Sequence, residues 1–287
     1  MSSQMVLGYN SLADVCHYLG LSGQVAHYRN KATQIAQRIN QWMWDEADSF
    51  YYDVSDKDQR IKVKTIASFW PLIAGVADQQ RAEVLVRKLK DPGMFWRQTP
   101  FPSLAAGHLL YDPKGKYWLG GVWAPTNYMV IKGLQQHGYE EFATEAAARY
   151  LKALAAVHQK TGTLWEVYAP DDYAPATIED GIALCEPDFV GWTGLGPVAL
   201  LIENVLGLRV EGRDRHVTWC LSRTDRHGIE RLQAGEAEIS LLCEQRPSPA
   251  SVAAITVTAS KRITLTLVKE TQKQTLQFEP GTHQIQF

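Results

Sequence analysis

The sequence predicts a mainly α-helical protein, with about seven helices in residues 1–208 and a small antiparallel β-domain in residues 209–287. Apolar residues recur at helical spacing in the first region, whereas short β-rich runs separated by turn residues fill the second. Two segments of more than thirty residues, 91–124 and 160–192, interrupt the helices and are rich in Pro, Gly, Trp and Asp. Because loops of that length in a compact domain are usually functional, we expect them to carry the site.

The most regular helical pattern covers residues 25–42. Its apolar residues are spaced three or four apart and make one stripe along a helix: Val25, Tyr28, Ala32, Ile35, Ile39 and Trp42. Similar patterns predict helical segments near residues 10–20, 63–77, 79–90, 125–137, 139–158 and 193–206. The last segment is nearly apolar all round, which predicts a buried helix.

The C-terminal region contains five short β-rich runs. They cover residues 217–221, 239–243, 253–258, 263–268 and 275–278, with turn residues between them. The alternation of Ile263, Leu265 and Leu267 implies that one face of the sheet is buried. We therefore expect residues 209–287 to form a β-sandwich-like domain that carries no catalytic group.

The amino-acid composition limits the kinds of molecule that this protein is expected to bind. The 29 basic and 31 acidic residues leave a formal net charge of −2, and no run of like charges predicts binding to nucleic acid or to an anionic membrane. No apolar stretch approaches the roughly 18 residues that a membrane span needs, and the first residues lack the features of a signal peptide. The four cysteines and eight histidines are scattered without metal-binding spacing. We expect a cytoplasmic protein with no metal and no cofactor.

Residues 117–128, YWLGGVWAPTNY, place four aromatic side chains, two adjacent glycines and an asparagine where a predicted helix begins. Gly120 and Gly121 allow the backbone to bend and to approach another group closely. Pro125 suits the first turn of a helix, from which Asn127 and Tyr128 would project. The segment fits either a core turn before a buried helix or a binding wall for a ring-shaped polar ligand.

Glu166 lies between Trp165 and Tyr168 in the second long loop. Desolvation by aromatic neighbours can raise the pKa of a carboxyl group, which suits a general acid or base. The structural alternative is a glutamate that caps a turn or pairs with an arginine.

Asp188 and Trp192 come just before the apolar helix predicted at 193–206. Asp188 could cap the N-terminal end of that helix. Trp192 could belong to the core or offer a stacking surface. The glycines at 191, 194 and 196 do not indicate a nucleotide loop, because no predicted strand precedes them.

Six blocks taken together resemble the bacterial trehalase-like glycosidases of glycoside hydrolase family 63 and its relatives, including the mannosylglycerate hydrolases. The blocks are MWDEADSFYYDV (43–54), VKTIASFWPLIAG (63–75), PFPSL (100–104), YWLGGVWAPTNYMVIKGL (117–134), TLWEVYAP (163–170) and PDFVGWTGLGPVALLIE (187–203). They occur in the family's order within residues 10–208, which correspond to the C-terminal part of the family's length. The β-rich tail also resembles the C-terminal domain of the bacterial members.

The resemblance implies an (α/α)6 toroid, of which this chain would form a part, and hydrolysis of a small α-glycoside or oligosaccharide with inversion. Glu166 matches the glutamate of the family's W-E-x-Y block and would be the general base. The residues expected to bind the sugar are Trp118, Trp123, Asn127, Tyr128, Trp165, Tyr168 and Trp192. Flat apolar rings that stack on sugars and polar tips that bond hydroxyls are the usual mixture in such a site.

The chain departs from the family pattern at two positions of these blocks. Many relatives have arginine where this chain has Leu119, and asparagine where it has Val167. Each change removes a hydrogen-bonding group, so the substrate of a characterised relative cannot be transferred to this chain.

The family's general-acid aspartate lies upstream of the block that residues 10–46 match, so we expect the acid to be missing from this chain. A second copy of the chain, or an N-terminal portion, would then cover the open side of the toroid. If a monomer of this chain hydrolysed both an aryl fluoride and an alkyl glycoside efficiently, the acid would lie within it, and Asp188 or Glu186 would be the next candidates. The competing hypotheses are a non-catalytic carbohydrate-binding or structural fragment and a toroid enzyme of another class, such as a lyase.

Overall fold

The computed structural model describes residues 1–176 and 185–287, together with the backbone of the strands Ile178–Glu179 and Ile182–Ala183. The described chain divides into two compact units, Met1–Pro197 and Val198–Phe287. The division falls earlier than the change of sequence pattern after residue 208, because Ile202 and Leu206 already pack against the core of the second unit.

The described residues of the first unit form six α-helices. They are α1 (Ser2–Tyr18), α2 (Ser22–Arg38), α3 (Trp70–Ile73), α4 (Gln79–Leu89), α5 (Ala124–Gln136) and α6 (Glu140–Thr161). A further helical segment, Gly196–Val205, has π-helical hydrogen bonding, as has the turn Ile39–Met43 that extends α2. The mainly α-helical character predicted for the first region is confirmed. Across the part of the chain that the structure describes, every helix is too short or too polar to cross a bilayer.

Local sequence explains where α4 and α6 begin and end. The side chain of Asp78 accepts a hydrogen bond from the N–H of Arg81 and so caps α4, as an N-cap aspartate does. Alanines on α6 are buried, including Ala143 and Ala147, so neighbouring groups can approach its backbone closely. Gly162 ends α6 with φ +77°, a left-handed conformation that glycine adopts without a steric penalty.

Three helix predictions were wrong in part. The segment predicted at 193–206 as a buried helix leaves Val198 62% and Leu201 38% exposed. The segment predicted at 63–77 is helical only over Ile66–Phe69 and Trp70–Ile73, because the backbone of Thr65 instead bridges to Leu104. The stripe predicted over 25–42 does not bury Trp42, whose side chain lies in the π-helical turn after α2 and is 50% exposed.

Short two-stranded ladders connect the helices of the first unit. They are formed by β1 (Trp44–Asp45), β2 (Phe50–Tyr51), β3 (Asp53–Val54), β4 (Arg60–Ile61), β5 (Val122–Trp123), β6 (Val167–Tyr168), β7 (Ile178–Glu179) and β8 (Ile182–Ala183). The pairs are β1–β2, β3–β4, β5–β6 and β7–β8. The β5–β6 pair joins the two long loops.

The second unit contains eight strands in two four-stranded sheets. The strands are β9 (Leu208–Glu211), β10 (His216–Cys220), β11 (His227–Ala234), β12 (Ala237–Cys243), β13 (Ala254–Ala259), β14 (Ile263–Lys269), β15 (Gln272–Phe278) and β16 (Gly281–Gln286). The sheet orders are β15-β14-β10-β9 and β11-β12-β13-β16. Buried residues of both sheets, among them Trp219, Leu265, Leu241 and Val257, form one hydrophobic core. The β-region predicted from the sequence is confirmed as two sheets that face each other.

One strand pair corrects the expectation of a purely antiparallel domain. Strands β10 and β14 run parallel, with Val217 opposite Leu265 and Trp219 opposite Leu267. The other ladders of this unit are antiparallel. A parallel pair needs a long connection, and the chain makes it through the second sheet, which sequence alternation alone does not reveal.

Candidate active site

The two long loops meet where β5 pairs with β6. Val122 lies opposite Tyr168, and Trp123 lies opposite Val167. The N–H of Thr99 donates to the carbonyl of Pro170 at 2.8 Å, which adds a second connection between the loops. These bonds bring the two tryptophan-rich segments of the sequence together beside Glu166.

A partly buried ion pair fixes the same two loops farther along. The Arg97 guanidinium Nε donates to Asp171 Oδ1 at 2.6 Å, and the hydroxyl of Tyr111 donates to Asp171 Oδ2 at 3.1 Å. Asp171 and Arg97 are only 21% and 28% exposed at their side chains, so the pair is shielded from much of the solvent. Burial, followed by the charge of Asp171, raises the pKa of Tyr111 well above its usual range, so this hydroxyl stays protonated and remains a donor.

Gly120 and Gly121 make the turn that leads into β5. Gly120 has φ +142°, and a Cβ there would lie 2.5 Å from the carbonyl oxygen of Asp112. A Cβ at Gly121 would lie 2.3 Å from the carbonyl oxygen of Tyr117 and 2.7 Å from Val167 Cγ1. The close backbone approach that the sequence predicts is therefore an approach to other parts of the same loops, including the residue that follows Glu166.

Three indole rings lie together next to β6. Trp118 stacks on Trp123 with 4.5 Å between ring centroids and 13° between planes, and Trp192 lies 6.0 Å from Trp123. Trp123 is 3% exposed, whereas Trp118 is 51% and Trp192 is 40% exposed. Trp118 thus covers one face of Trp123, and the rings of Trp118 and Trp192 are the ones that offer apolar surface to a ligand.

Glu166 is half-buried and is held by its backbone against a second segment of the same loop. Its N–H donates to the carbonyl of Glu186 at 3.0 Å, and the N–H of Glu186 donates to Glu166 Oε2 at 3.4 Å. The indole N–H of Trp192 donates to the carbonyl of Glu166, also at 3.4 Å. The structure therefore brings Glu166, Trp192 and Trp123 together in one place.

Trp165 and Tyr168, which lie on either side of Glu166 in the sequence, stabilise the second long loop through hydrogen bonds. The N–H of Trp165 donates to the Tyr168 hydroxyl at 3.0 Å, and its indole N–H donates to Thr161 Oγ1 at 3.0 Å. Tyr168 is 1% exposed, and burial raises the pKa of its hydroxyl to about 12. In this arrangement Tyr168 belongs to the core beneath the loop and does not present its hydroxyl to solvent.

Asn127 and Tyr128 lie in the first turns of α5. The Asn127 side-chain amide donates to the carbonyl of Trp123 at 3.2 Å, and this residue is fully buried. Among the residues that the structure describes, neither Asn127 Oδ1 nor the indole N–H of Trp123 has a hydrogen-bond partner. Tyr128 is half-buried, with Lys132 Nζ 5.3 Å from its ring centroid.

Cys185 packs in a small buried cluster with Trp123, Val167 and Ala176. Its thiol donates to the carbonyl of Ala176 at 3.2 Å. Burial raises the pKa of this thiol to about 11, and the Glu166 carboxylate adds to the shift. Cys185 is therefore a protonated core group near the candidate base at neutral pH.

Asp188 does not act as the helix cap that the sequence favours. It accepts a hydrogen bond from Thr163 Oγ1 at 2.6 Å, and its own N–H donates to the same oxygen at 3.2 Å. The Thr193 hydroxyl donates to the carbonyl of Trp165 at 2.9 Å. Sequence reasoning missed Thr163 and Thr193, because their partners lie more than twenty residues away along the chain and no motif links them.

The residues that build this site lie almost entirely within one known protein family's domain. The model of the mannosylglycerate hydrolase MGH1-like glycoside hydrolase domain matches residues 1–186, which include Glu166 and the indoles Trp118 and Trp123. This chain belongs to that family.

Two relatives illustrate the likeness in sequence. A protein of uncharacterized function from Borreliella burgdorferi is 28% identical over 241 residues, which cover 82% of this chain and 50% of that protein. The cytosolic neutral trehalase of Kluyveromyces lactis is 32% identical over 123 residues, covering 40% of this chain and 16% of the trehalase. The chain thus spans half or less of the length of these curated relatives.

The fold of the chain also matches a solved structure. The GH63 mannosylglycerate hydrolase from Thermus thermophilus, in complex with glucose, superposes with a TM-score of 0.55 at 23% identity. The match covers 70% of this chain and 46% of the hydrolase. At this identity the likeness establishes a shared fold.

Within the described residues, no group of three or more His, Cys, Asp or Glu side chains could hold a metal ion.

Proposed function

We propose that this chain carries the base-supplying part of an inverting glycoside hydrolase, which acts on a small α-glycoside or oligosaccharide with Glu166 as the general base. The observation that carries the proposal is the position of Glu166. Its half-buried carboxylate lies on a loop that packs directly against three indoles, two of which expose their rings. A carboxylate for the base and exposed rings for the sugar are two of the components that such a site needs, the general acid being the third.

In inverting hydrolysis, the general base removes a proton from a water molecule on the face of the sugar opposite the leaving group. In the described part of the chain, Oε2 of Glu166 accepts a hydrogen bond from the N–H of Glu186, and Oε1 accepts none. The hydrogen bond from the Glu166 N–H to the Glu186 carbonyl fixes the backbone position from which the Glu166 side chain extends. Such positioning by the surrounding loop supports a role in which one carboxylate oxygen orients a reactant.

The sugar would stack on the exposed rings of Trp118 and Trp192. Asn127 Oδ1 and the indole N–H of Trp123 lie buried behind them without partners among the described residues, and buried polar groups are normally satisfied. A sugar hydroxyl both donates and accepts, so it would satisfy either group once a shift of the covering rings exposed that group. Tyr128, Trp165 and Tyr168 would support this wall from α5 and β6.

We also propose that the first unit is part of an (α/α)6 toroid. Helices adjacent in the chain pack as pairs, α1 with α2 and α5 with α6. Helix α1 leaves apolar side chains exposed, among them Met5, Leu12 and Val15, and soluble proteins rarely leave such surface uncovered. A second copy of the chain, or a segment corresponding to the rest of the longer relatives, would cover this surface. Of the two, the segment would also supply the general acid, since a second copy has the same sequence. The likeness to the cytosolic neutral trehalase of Kluyveromyces lactis supports a cytoplasmic location.

The test compares wild-type protein with Glu166→Gln on α-glucosyl and α-mannosyl fluorides, whose leaving group needs little help from an acid. Removal of the base should lower kcat by at least about a hundredfold, because general base catalysis contributes roughly 10²–10⁴ in rate. Glu145→Gln, an exposed change on α6, is the matched control and should leave kcat unchanged. Equal rates for Glu166→Gln and wild type would overturn the assignment of the base.

A further inference from the structure

Two short segments at the ends of the second long loop, 163–166 and 186–193, hold each other through polar bonds at Glu166 and at the residues just before it. The N–H of Phe189 donates to the carbonyl of Leu164 at 3.0 Å, and Thr193 Oγ1 donates to the carbonyl of Trp165 at 2.9 Å. Together with the Glu166–Glu186 bond, they tie three consecutive residues of the first segment to the second. Glu166 therefore depends on a partner segment twenty residues away for its place.

The two segments are joined at one end by a reciprocal pair of hydrogen bonds. Thr163 Oγ1 donates to Asp188 Oδ1 at 2.6 Å, the length of a charge-assisted O–H···O⁻ bond, and accepts from the Asp188 N–H at 3.2 Å. Asp188 has φ +53°, a left-handed conformation that non-glycine residues keep only where their surroundings fix it. The Thr163 hydroxyl bonds both the side chain and the backbone of Asp188, and together with the Phe189–Leu164 bond it holds this conformation.

We propose that Asp188, held by Thr163, is a positioning residue for Glu166, an inference that rests on the proposed function. Asp188 lies two residues after Glu186, whose N–H reaches the Glu166 carboxylate, and four residues before Trp192, whose indole reaches the Glu166 carbonyl. A change in the backbone at Asp188 moves both contacts. The Thr163–Asp188 pair thus sets the carboxylate of the base relative to the ring on which the sugar stacks.

A positioning role and a general-acid role for Asp188 predict opposite results for Asp188→Asn. Asparagine keeps the oxygen that accepts the Thr163 bond and tolerates the left-handed conformation, but it cannot deliver a proton to a leaving group. If Asp188 only positions Glu166, Asp188→Asn keeps most of its activity. If Asp188 is the acid, the asparagine variant fails on alkyl glycosides and keeps activity only on fluorides.

The experiment uses the full chain with five substitutions. Asp188→Ala and Thr163→Val remove the bond, and Asp188→Gly removes it while relieving the left-handed strain. Asp188→Asn and Thr163→Ser keep it. On the glycosyl fluorides we expect the first three to lower kcat about tenfold with little change in KM, and the last two to stay within about threefold of wild type. An alkyl glycoside assayed in parallel separates the two roles, because Asp188→Asn should keep the wild-type rate on it, however low, if Asp188 only positions Glu166. The double variant Thr163→Val/Asp188→Ala should be no slower than either single one, because both remove the same bond.

Hydrogen exchange supplies a readout that does not depend on activity. Peptides covering residues 163–166 and 186–193 should exchange at least about fivefold faster in Thr163→Val and Asp188→Gly, and at the wild-type rate in Thr163→Ser. Unchanged exchange in all variants, or Asp188→Asn as slow in turnover as Asp188→Ala, would overturn the inference. Wild-type protein that hydrolyses no glycoside while exchange responds as expected would overturn the proposed function instead and leave the Thr163–Asp188 pair as a structural element.

Discussion

At the scale of single residues, the three indoles beside Glu166 differ in what they can do. Trp118 and Trp192 expose ring surface, whereas Trp123 is 3% exposed under the ring of Trp118. An exposed ring contributes to binding when a ligand covers it, and a buried ring contributes to folding because it already fills the core. Substitutions of the three should therefore separate binding from stability.

Trp118→Ala should weaken sugar binding without unfolding the protein. Covering one exposed ring removes apolar area worth about 1–2 kcal/mol, or roughly a five- to thirtyfold change in Kd. Trp123→Ala, by contrast, should lower the free energy of unfolding by about 3–5 kcal/mol, as large-to-small core changes do. Titration with sugars by intrinsic fluorescence, beside urea unfolding, measures both. Equal losses of stability in the two variants would contradict this division.

Cys185 gives a pH dependence whose sign the structure fixes. Its folded pKa, raised to about 11 by burial and then by Glu166, lies above the roughly 8.5 of a thiol in an unfolded chain. The contribution of the protonated thiol to stability is therefore complete below about pH 8.5 and is lost as pH rises toward 11. The free energy of unfolding of wild type should fall more steeply than that of Cys185→Ala between about pH 8.5 and about pH 10.5. Parallel slopes would show that the thiol does not titrate from this buried position.

At the scale of elements, the turn at Gly120–Gly121 joins the two loops by letting one backbone lie against the other. The pairing of β5 with β6 directly follows this turn, and Glu166 directly precedes β6. Only a few residues separate the turn from the candidate base. A side chain added at the turn would therefore also displace Glu166.

Gly121→Ala should destabilise the protein by about 1–3 kcal/mol, because the new methyl group would meet the Tyr117 carbonyl and Val167 at distances that atoms do not tolerate. Gly8→Ala in α1 is the matched control, since nothing lies within 4 Å of its added Cβ. Alanine there should be neutral or stabilising by up to about 1 kcal/mol, because it favours the helix. Thermal unfolding of both variants measures the difference, and a neutral Gly121→Ala would refute the packing argument.

How much of this the sequence predicts depends on the range of the interactions. Helices α4, α5 and α6 follow from apolar spacing and capping, which are local, and each lies within a few residues of its predicted span. The Thr163–Asp188 pair and the parallel β10–β14 pair join residues 25 or more positions apart. No local sequence pattern can therefore predict them. The same holds for the burial of Trp123, which depends on Trp118 folding back over it.

At the scale of the whole molecule, the chain holds two units with separate cores. The second unit packs Trp219, Leu265 and Leu241 between its sheets, and the indole N–H of Trp219 donates to the carbonyl of Leu206 at 2.9 Å. The proposed site uses residues of the first unit. We therefore propose that the β-unit supports stability and takes no part in the chemistry.

Leu265→Ala should lower the free energy of unfolding by about 2–5 kcal/mol, because the leucine is fully buried and leaves a cavity. The folded fraction should keep the wild-type kcat and KM on the glycosyl fluorides. Thr264→Ala on the same strand is the control, since its half-buried side chain leaves a smaller void. A change in KM at full folding would show that the β-unit contributes to substrate binding.

The most direct test of the central claim, that Glu166 is the base of an inverting glycosidase, is the anomeric configuration of the first product. Proton NMR of freshly started reactions with α-glucosyl and α-mannosyl fluorides distinguishes the two anomers before they equilibrate. We predict that wild-type protein releases the β-sugar first and that Glu166→Gln releases it at least about a hundredfold more slowly. Release of the α-sugar first, or an undiminished rate in Glu166→Gln, would contradict the account.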